Sequence, residues 1–205
     1  LGTHRLHNVA GNLKETFRQT AKVKIYEEEK TISISGEDCN IVFNKTNGLI
    51  TKLSYKNGVN LIKDGKGFTP NFWRAPIDND FGNDLHKRCE EWRYVSENRV
   101  LANLNISEKG NNALVSVSYN LNNEAGKNIA VFISNYTINV KGKIVVENQF
   151  VKTRNNLSET PRIGLNIQLI GSLDQMTWYG RGPYESYWDR KTGAKIGTYT
   201  GSVAD

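Results

Sequence analysis

Apolar and polar residues alternate along much of this chain from Lys22 onward. Residues 31–35 read Thr-Ile-Ser-Ile-Ser. Val115, Val117, Tyr119 and Leu121 alternate with Ser116, Ser118 and Asn120. Ala130, Phe132, Tyr136, Ile138 and Val140 share one face of the next run, which Lys141-Gly142 turns into Ile144, Val146, Asn148 and Phe150. Ile163, Leu165, Ile167 and Leu169 repeat the period, with Arg162, Asn166 and Gln168 opposite. Successive side chains of a strand point to opposite faces, so a period of two predicts strands with one buried face. Asn47-Gly48 marks a turn. Asn57-Gly58, between residues 49–56 and 59–62, is a strong hairpin signal. Together these runs predict long antiparallel strands with one wet face.

One short helix is expected near residues 84–95. Leu85, Cys89, Trp92 and Val95 fall on one face of a 3.6-residue period, and Asn83 or Asp84 would serve as N-cap. The fold class is therefore all-β, a large antiparallel sandwich. A (β/α)₈ barrel needs about 250 residues with strands and helices in alternation, and a dinucleotide fold needs a glycine fingerprint between strand and helix. The chain carries neither pattern. Residues 1–21 have no clean period and read as a linker or the tail of a preceding domain; residues 22–205 form the sandwich.

The bulk composition narrows the class without naming a function. The 205 residues are 38% hydrophobic and 10% aromatic, with no apolar run near the roughly 18 residues of a membrane span. The net charge of +6 invites a nucleic-acid partner. The basic residues are dispersed, however: Lys22, Lys24 and Lys30 sit among Glu27, Glu28 and Glu29. Neither a basic stripe nor an RNA-binding signature is present, so no nucleic acid and no membrane are expected. The two cysteines, Cys39 and Cys89, make no disulfide framework or metal spacing. Cys39 precedes Ile41-Val42-Phe43 and reads as a buried strand residue. With histidines only at 4, 7 and 86, no metal site is expected. The start at Leu1 and the lone Met176 lead us to expect a piece of something longer. Asn44, Asn105, Asn135 and Asn156 head Asn-x-Ser/Thr triplets, which arise by chance in an Asn-rich chain.

Two segments carry candidate chemistry. In the first, Asn71-Phe-Trp-Arg-Ala-Pro-Ile-Asp-Asn-Asp-Phe-Gly82, an apolar anchor leads into a carboxylate-rich loop. Pro76 fixes its own φ and pushes Ala75 towards extended backbone. Asp78 and Asp80, two apart, would point the same way if extended, as paired carboxylates for acid–base work. The alternative is a turn whose carboxylates accept backbone N–H groups. Counting from Asp78, the EF-hand positions for glycine and glutamate hold Asn83 and Cys89, which excludes that motif. The second segment runs from Trp178 to Arg190 and holds five aromatics, two arginines and two acids. Trp178 and Trp188 would stack on sugar rings, and Arg181 and Glu185 would bond hydroxyls. The alternative is a structural corner locked by an Arg–acid pair. Trp92 reads as core, while Trp73 is open between core and platform. There is no G-x-S-x-G.

These motifs resemble those of one family. Residues 72–82 are similar to the signature of the C-terminal β-sandwich domain of large multidomain β-galactosidases, family 2 glycoside hydrolases. Residues 41–49 resemble its first hairpin, 161–165 a later core strand, and 178–190 its second signature, all in the family's order. The resemblance covers residue 22 to the end. It implies a supersandwich of the galactose-mutarotase-like kind, truncated here at the C-terminus, since the family's sandwich continues past Asp205. It also implies a retaining glycosidase whose two glutamates, about 5–5.5 Å apart, sit on a separate barrel. No residue of this chain is then catalytic, and the fragment alone is expected to be inactive. By the same resemblance, Asp78, Asn79, Asp80, Gly82 and Asn83 belong to a substrate-rim loop, with Gly82 as hinge. Trp178, Arg181, Glu185 and Trp188 remain carbohydrate-contact candidates. No cofactor is implied for this fragment; magnesium and sodium are the ions to consider in the parent enzymes. The implied partners are the barrel and other domains of the same chain and a galactoside. A homo-oligomer and a cytoplasmic or periplasmic location both stay open. Other readings are an independent carbohydrate-binding module and an aldose epimerase, for which His86 would be the histidine.

Overall fold

Twelve strands and two very short helices succeed one another in the computed structural model, which describes residues 21–56, 58–184, 186 and 190–203. The strands begin with β1 (Lys24–Glu27), β2 (Thr31–Ser35), β3 (Cys39–Asn44), β4 (Ile50–Tyr55) and β5 (Thr69–Asn71). Then come α1 (Asp78–Gly82), α2 (Leu85–Arg88) and a single 3₁₀ turn at Glu90–Trp92. The chain continues through β6 (Val100–Lys109), β7 (Asn112–Asn122), β8 (Asn128–Ile138) and β9 (Ile144–Lys152). It closes with β10 (Gly164–Asn166), β11 (Gln175–Gly182) and β12 (Lys195–Ser202). β1–β4 and β6–β9 each form a four-stranded antiparallel meander in chain order. β5 pairs with β10, and β11 with β12.

The alternating pattern decides which face of each meander is dry. Ile32 and Ile34 of β2 and Ile41 and Phe43 of β3 are buried, while their neighbours are half-exposed. Val115, Val117, Tyr119 and Leu121 of β7 and Phe132, Tyr136 and Ile138 of β8 are buried from the other side. All belong to one apolar cluster, and the Phe43 and Tyr136 rings meet edge-on with centroids 5.3 Å apart. Each such side chain contributes about 1.5–3 kcal/mol on leaving water. The result is an all-β sandwich.

Glycines let the sheets close at two points. Gly48 turns β3 into β4 at φ +70°, and a Cβ there would lie 2.5 Å from Val117 Cγ1. Gly142 has φ +78° and sits where a Cβ would be 2.6 Å from both Cys39 Cβ and Tyr55 Cε1. Its carbonyl accepts the Tyr55 hydroxyl at 2.9 Å, joining the two meanders at one corner. A side chain at either position would meet both disfavoured backbone and packed atoms.

Three local expectations are corrected. The helix expected near 84–95 is split: α2 spans four residues, Cys89 leaves helical geometry, and a 3₁₀ turn comes next. Its N-cap residue is Asp84, in left-handed backbone and with no side-chain cap bond. Leu85, Cys89, Trp92 and Val95 still point to the core, because anchoring one face needs no continuous helix. The strand expected over 163–169 reduces to Gly164–Asn166 plus an Ile62–Leu169 bridge, and Ile163 and Leu169 are exposed. After Asn57, which lies outside the described residues, residues 59–62 do not form a second hairpin strand. Asn60 instead spends its amide on Leu53 N–H and Thr51 C=O, at 3.0 and 2.9 Å, replacing ladder bonds with side-chain ones.

Candidate functional site

The first candidate segment begins as an anchor. Asn71 Oδ1 accepts the Trp73 N–H at 3.1 Å. Phe72 is fully buried, with ring centroids 5.2 Å from Phe150, 5.7 Å from Phe132 and 6.4 Å from Trp92. Trp73 is half-buried and packs against the same core, which answers the question its sequence context left open. The backbone leaving Phe72 is therefore rigidly placed.

Beyond this anchor the chain is not an extended loop. Residues 78–82 form α1, a single helical turn, so Asp78 and Asp80 do not project together. Asp78 and Asn79 are exposed, whereas Asp80 is 5% exposed and engaged. Arg74 grips its carboxylate with two prongs: Nη2 donates to Oδ1 at 2.8 Å, and Nη1 donates to Oδ2. Oδ2 also accepts the Ile77 N–H at 2.9 Å, satisfying a donor at the start of α1. The Arg74 hydrogen bonds, and then the Ile77 N–H, hold Asp80 below the usual carboxylate range. Asp80 is thus an ionised brace, and the turn reading of its carboxylate is the one the geometry supports.

The other end of α1 is held by a second arginine. Arg88 Nε donates to Asn83 O at 3.0 Å and Nη2 to Asn83 Oδ1 at 3.2 Å, while Nη1 pairs with Glu159. The Phe81 ring is exposed and lies 4.9 Å from His86. Gly82 has open space within 4 Å of where a Cβ would be. The segment thus presents Asp78, Asn79, Phe81 and Gly82 to solvent from a turn braced at both ends.

A further cluster, which sequence reasoning missed, fixes the base of this segment. The indole of fully buried Trp92 donates to Ser158 Oγ at 3.0 Å. Glu91 Oε1 accepts both the Ser158 hydroxyl and its N–H, each at 2.8 Å. Lys152 Nζ donates to Ser158 O at 2.5 Å and lies 5.2 Å over the Trp92 ring. Trp92 and Glu91 are 66 and 67 residues from Ser158 in sequence, so no local pattern could reveal them.

The second candidate segment uses its polar groups internally. Trp178 of β11 lies against Tyr199 of β12 at 5.4 Å, and its Nε1 donates to Arg181 O at 3.2 Å. Arg181 Nη1 donates to Lys191 O at 2.6 Å and Ala194 O at 3.0 Å, closing the connection between the strands. This is a corner locked by arginine onto backbone carbonyls. Glu185 and Trp188 lie outside the described residues. A recess of about 860 Å³ opens beside it, lined by Gly182, Pro183, Tyr184, Arg190, Lys195 and Tyr199 among others. The hydrogen bonds of Asp80 and Asn83 go to Arg74, Ile77 and Arg88, and those of Trp178 and Arg181 stay in their own hairpin; none of these contacts joins the two segments. Among the described residues, no three His, Cys, Asp or Glu side chains are grouped to hold a metal ion. Among them, too, no helix is long and apolar enough to cross a membrane.

Comparison with known proteins adds what the geometry does not contain. Residues 35–205 match the family model described as β-galactosidase small chain. A β-galactosidase of Priestia megaterium is 35% identical over 179 residues, covering 87% of this chain and 16% of that protein. One from Clostridium acetobutylicum is 30% identical over 87% of this chain and 19% of that protein. One from Halalkalibacterium halodurans is 28% identical over 95% of this chain, again 19% of that protein. The chain thus spans less than a fifth of the length of these relatives.

Proposed function

The chain belongs to the β-galactosidase small-chain family, and from that premise we propose that it serves as a non-catalytic sandwich domain of an enzyme that hydrolyses terminal β-D-galactosides with retention. The observation that carries this reading is the span of the match: nearly the whole chain aligns, yet it amounts to 16–19% of the relatives. The exposed apolar side chains of the second half agree with a domain packed against others. Ile163, Leu173, Met176, Ile196 and Val203 are each 44–68% exposed. In this reading the sandwich buttresses the barrel, and the braced turn at 78–83 lends Asp78, Asn79, Gly82 and Asn83 to the rim of the active site. Asp80 shapes that turn and does not touch substrate. Closure of such a loop sequesters substrate and completes a site.

The test pairs titration calorimetry of this chain with galactose and lactose with a galactoside hydrolysis assay on the same sample. Neither heat nor hydrolysis is expected. Binding at millimolar affinity or tighter would favour an independent sugar module instead. The internal use of Trp178 and Arg181 argues against that module. In the whole enzyme, Gly82→Ala should change turnover; the open space around Gly82 means that a change would report on the backbone and not on a clash. Unchanged kinetics would remove Gly82 as a hinge.

A further inference from the structure

The network around Ser158 is larger than packing of Trp92 requires. A buried indole needs one acceptor, and Ser158 Oγ supplies it. Glu91 adds a second grip, taking both donors of Ser158 on one carboxylate oxygen. Lys152 adds a third by capping the Ser158 carbonyl. The same two stretches meet again one residue further on, where Glu159 pairs with Arg88. Arg88 in turn holds both the carbonyl and the side chain of Asn83, the last residue of the braced turn. A continuous path of hydrogen bonds and one-turn backbone steps therefore runs from Ser158 through Glu91 and Arg88 to Asn83.

We infer that Glu91 is a positioning residue for the 78–83 turn, acting through its double hydrogen bond to Ser158. The inference rests on the rim reading above. Glu91 lies on the 3₁₀ turn directly after α2, so anchoring it fixes the end of α2 from which Arg88 reaches back. Without it the Ser158 N–H loses its acceptor and the helical stretch keeps only Trp92–Ser158 and Arg88–Glu159 as ties to the chain after β9. The turn then samples positions in which it does not meet substrate. A site that is competent only part of the time binds with an apparent constant raised in inverse proportion to the competent fraction. Loss of Glu91 should therefore act more on KM than on kcat.

The experiment uses the whole enzyme that carries this domain, with Glu91→Ala, Glu91→Gln and Gly82→Ala. Two readouts are taken: amide hydrogen exchange, and steady-state kinetics on a galactoside. The amides of Lys87, Arg88 and Cys89, bonded to Asp84 and Leu85 carbonyls, report on α2. In Glu91→Ala they should exchange at least about ten-fold faster, by the opening of a locally anchored unit, with KM raised several-fold and kcat changed less. Glu91→Gln keeps an acceptor at the same place and should restore both readouts to within about three-fold. Unchanged exchange in Glu91→Ala overturns the inference. Faster exchange with unchanged KM also overturns it, and Gly82→Ala then separates the two ideas. If Gly82→Ala alters turnover, only the role of Glu91 fails. If it too is silent, Gly82 is no hinge, and Asn79→Ala decides the placement of the turn: unchanged kinetics there as well removes it from the rim.

Discussion

Replacing Asp80 by Asn removes one negative charge at constant size, and the structure sets what that costs. Asp80 is 7% exposed at its side chain, and Arg74 25%. The carboxylate accepts two hydrogen bonds from the guanidinium and one from the Ile77 N–H. The Asn oxygen can still serve Ile77, but its NH₂ faces a donor, so at least one prong of Arg74 is lost. Hydrogen bonds to charged groups contribute about 1.5–3 kcal/mol, and stripping one partner from a fully buried pair costs about 3–5 kcal/mol. Arg74 reaches water, which lowers the second figure, so Asp80→Asn should cost about 2–3 kcal/mol. For a chain of this size that is roughly 5–10 °C in Tm. The pH dependence gives an independent check. A carboxyl held below its unfolded value of about 3.9 contributes stability that is present above that value and lost as pH falls through the folded pKa. Urea midpoints of the two proteins should differ near neutral pH and converge in strong acid, below the folded pKa. A difference under about 0.5 kcal/mol at neutral pH, less than one typical hydrogen bond, or one that persists unchanged in acid, would refute the ionised brace.

The same geometry sets other outcomes. Gly36→Ala would put a Cβ 2.1 Å from the Val140 carbonyl oxygen, a backbone clash across the sandwich; denaturant unfolding should show a loss above about 2 kcal/mol, since backbone must move. Trp92→Phe removes the indole donor to Ser158 and leaves a void in the core; a loss of about 2–4 kcal/mol is expected by the same assay. Burial pushes Tyr136 up to about 12 and Tyr119 higher still. Absorbance titration should therefore show two phenols ionising last. A raised pKa stabilises the fold below the unfolded value of about 10, and that stability is lost as pH rises through about 12.

The strands of the sandwich were legible because each buries one face, and a period of two survives in a single sequence. β2 and most of β7 alternate buried and half-exposed positions as their residues alternate apolar and polar; β8 keeps the burial period from Ala130 on, with Ser134 on its dry face and Val131 and Ile133 on the other. The 163–169 run has the same pattern, yet its apolar side is largely bare. Periodicity states what a segment can bury, and the described residues supply no cover for Ile163 or Leu169. At the candidate site the composition was informative and the conformation was not. Asp-Asn-Asp reads as a turn, but Arg74 and the Ile77 N–H draw Asp80 inward and wind the segment into helix. The Ser158 cluster was invisible, because only the finished fold brings residue 91 to residue 158.

The two meanders have a consequence for how the chain reaches its native state. Within each, every strand pairs with its sequence neighbour across a short connection, so either can zip up from local hairpins. The contacts that join them are of another kind, since Tyr55 bonds Gly142 across 87 positions. The separate β5–β10 pair likewise forms across some 95 residues. Closing such long loops is slow, and folding rate falls as contacts become more remote in sequence. The rate-limiting event should be the docking of one preformed sheet on the other, with β5–β10 pairing as the final stitch. Substitutions at Gly142 or Tyr55, and changes that weaken β2 or β3 within the preformed sheet, would then slow refolding, while changes in the β5–β10 pair would mainly speed unfolding.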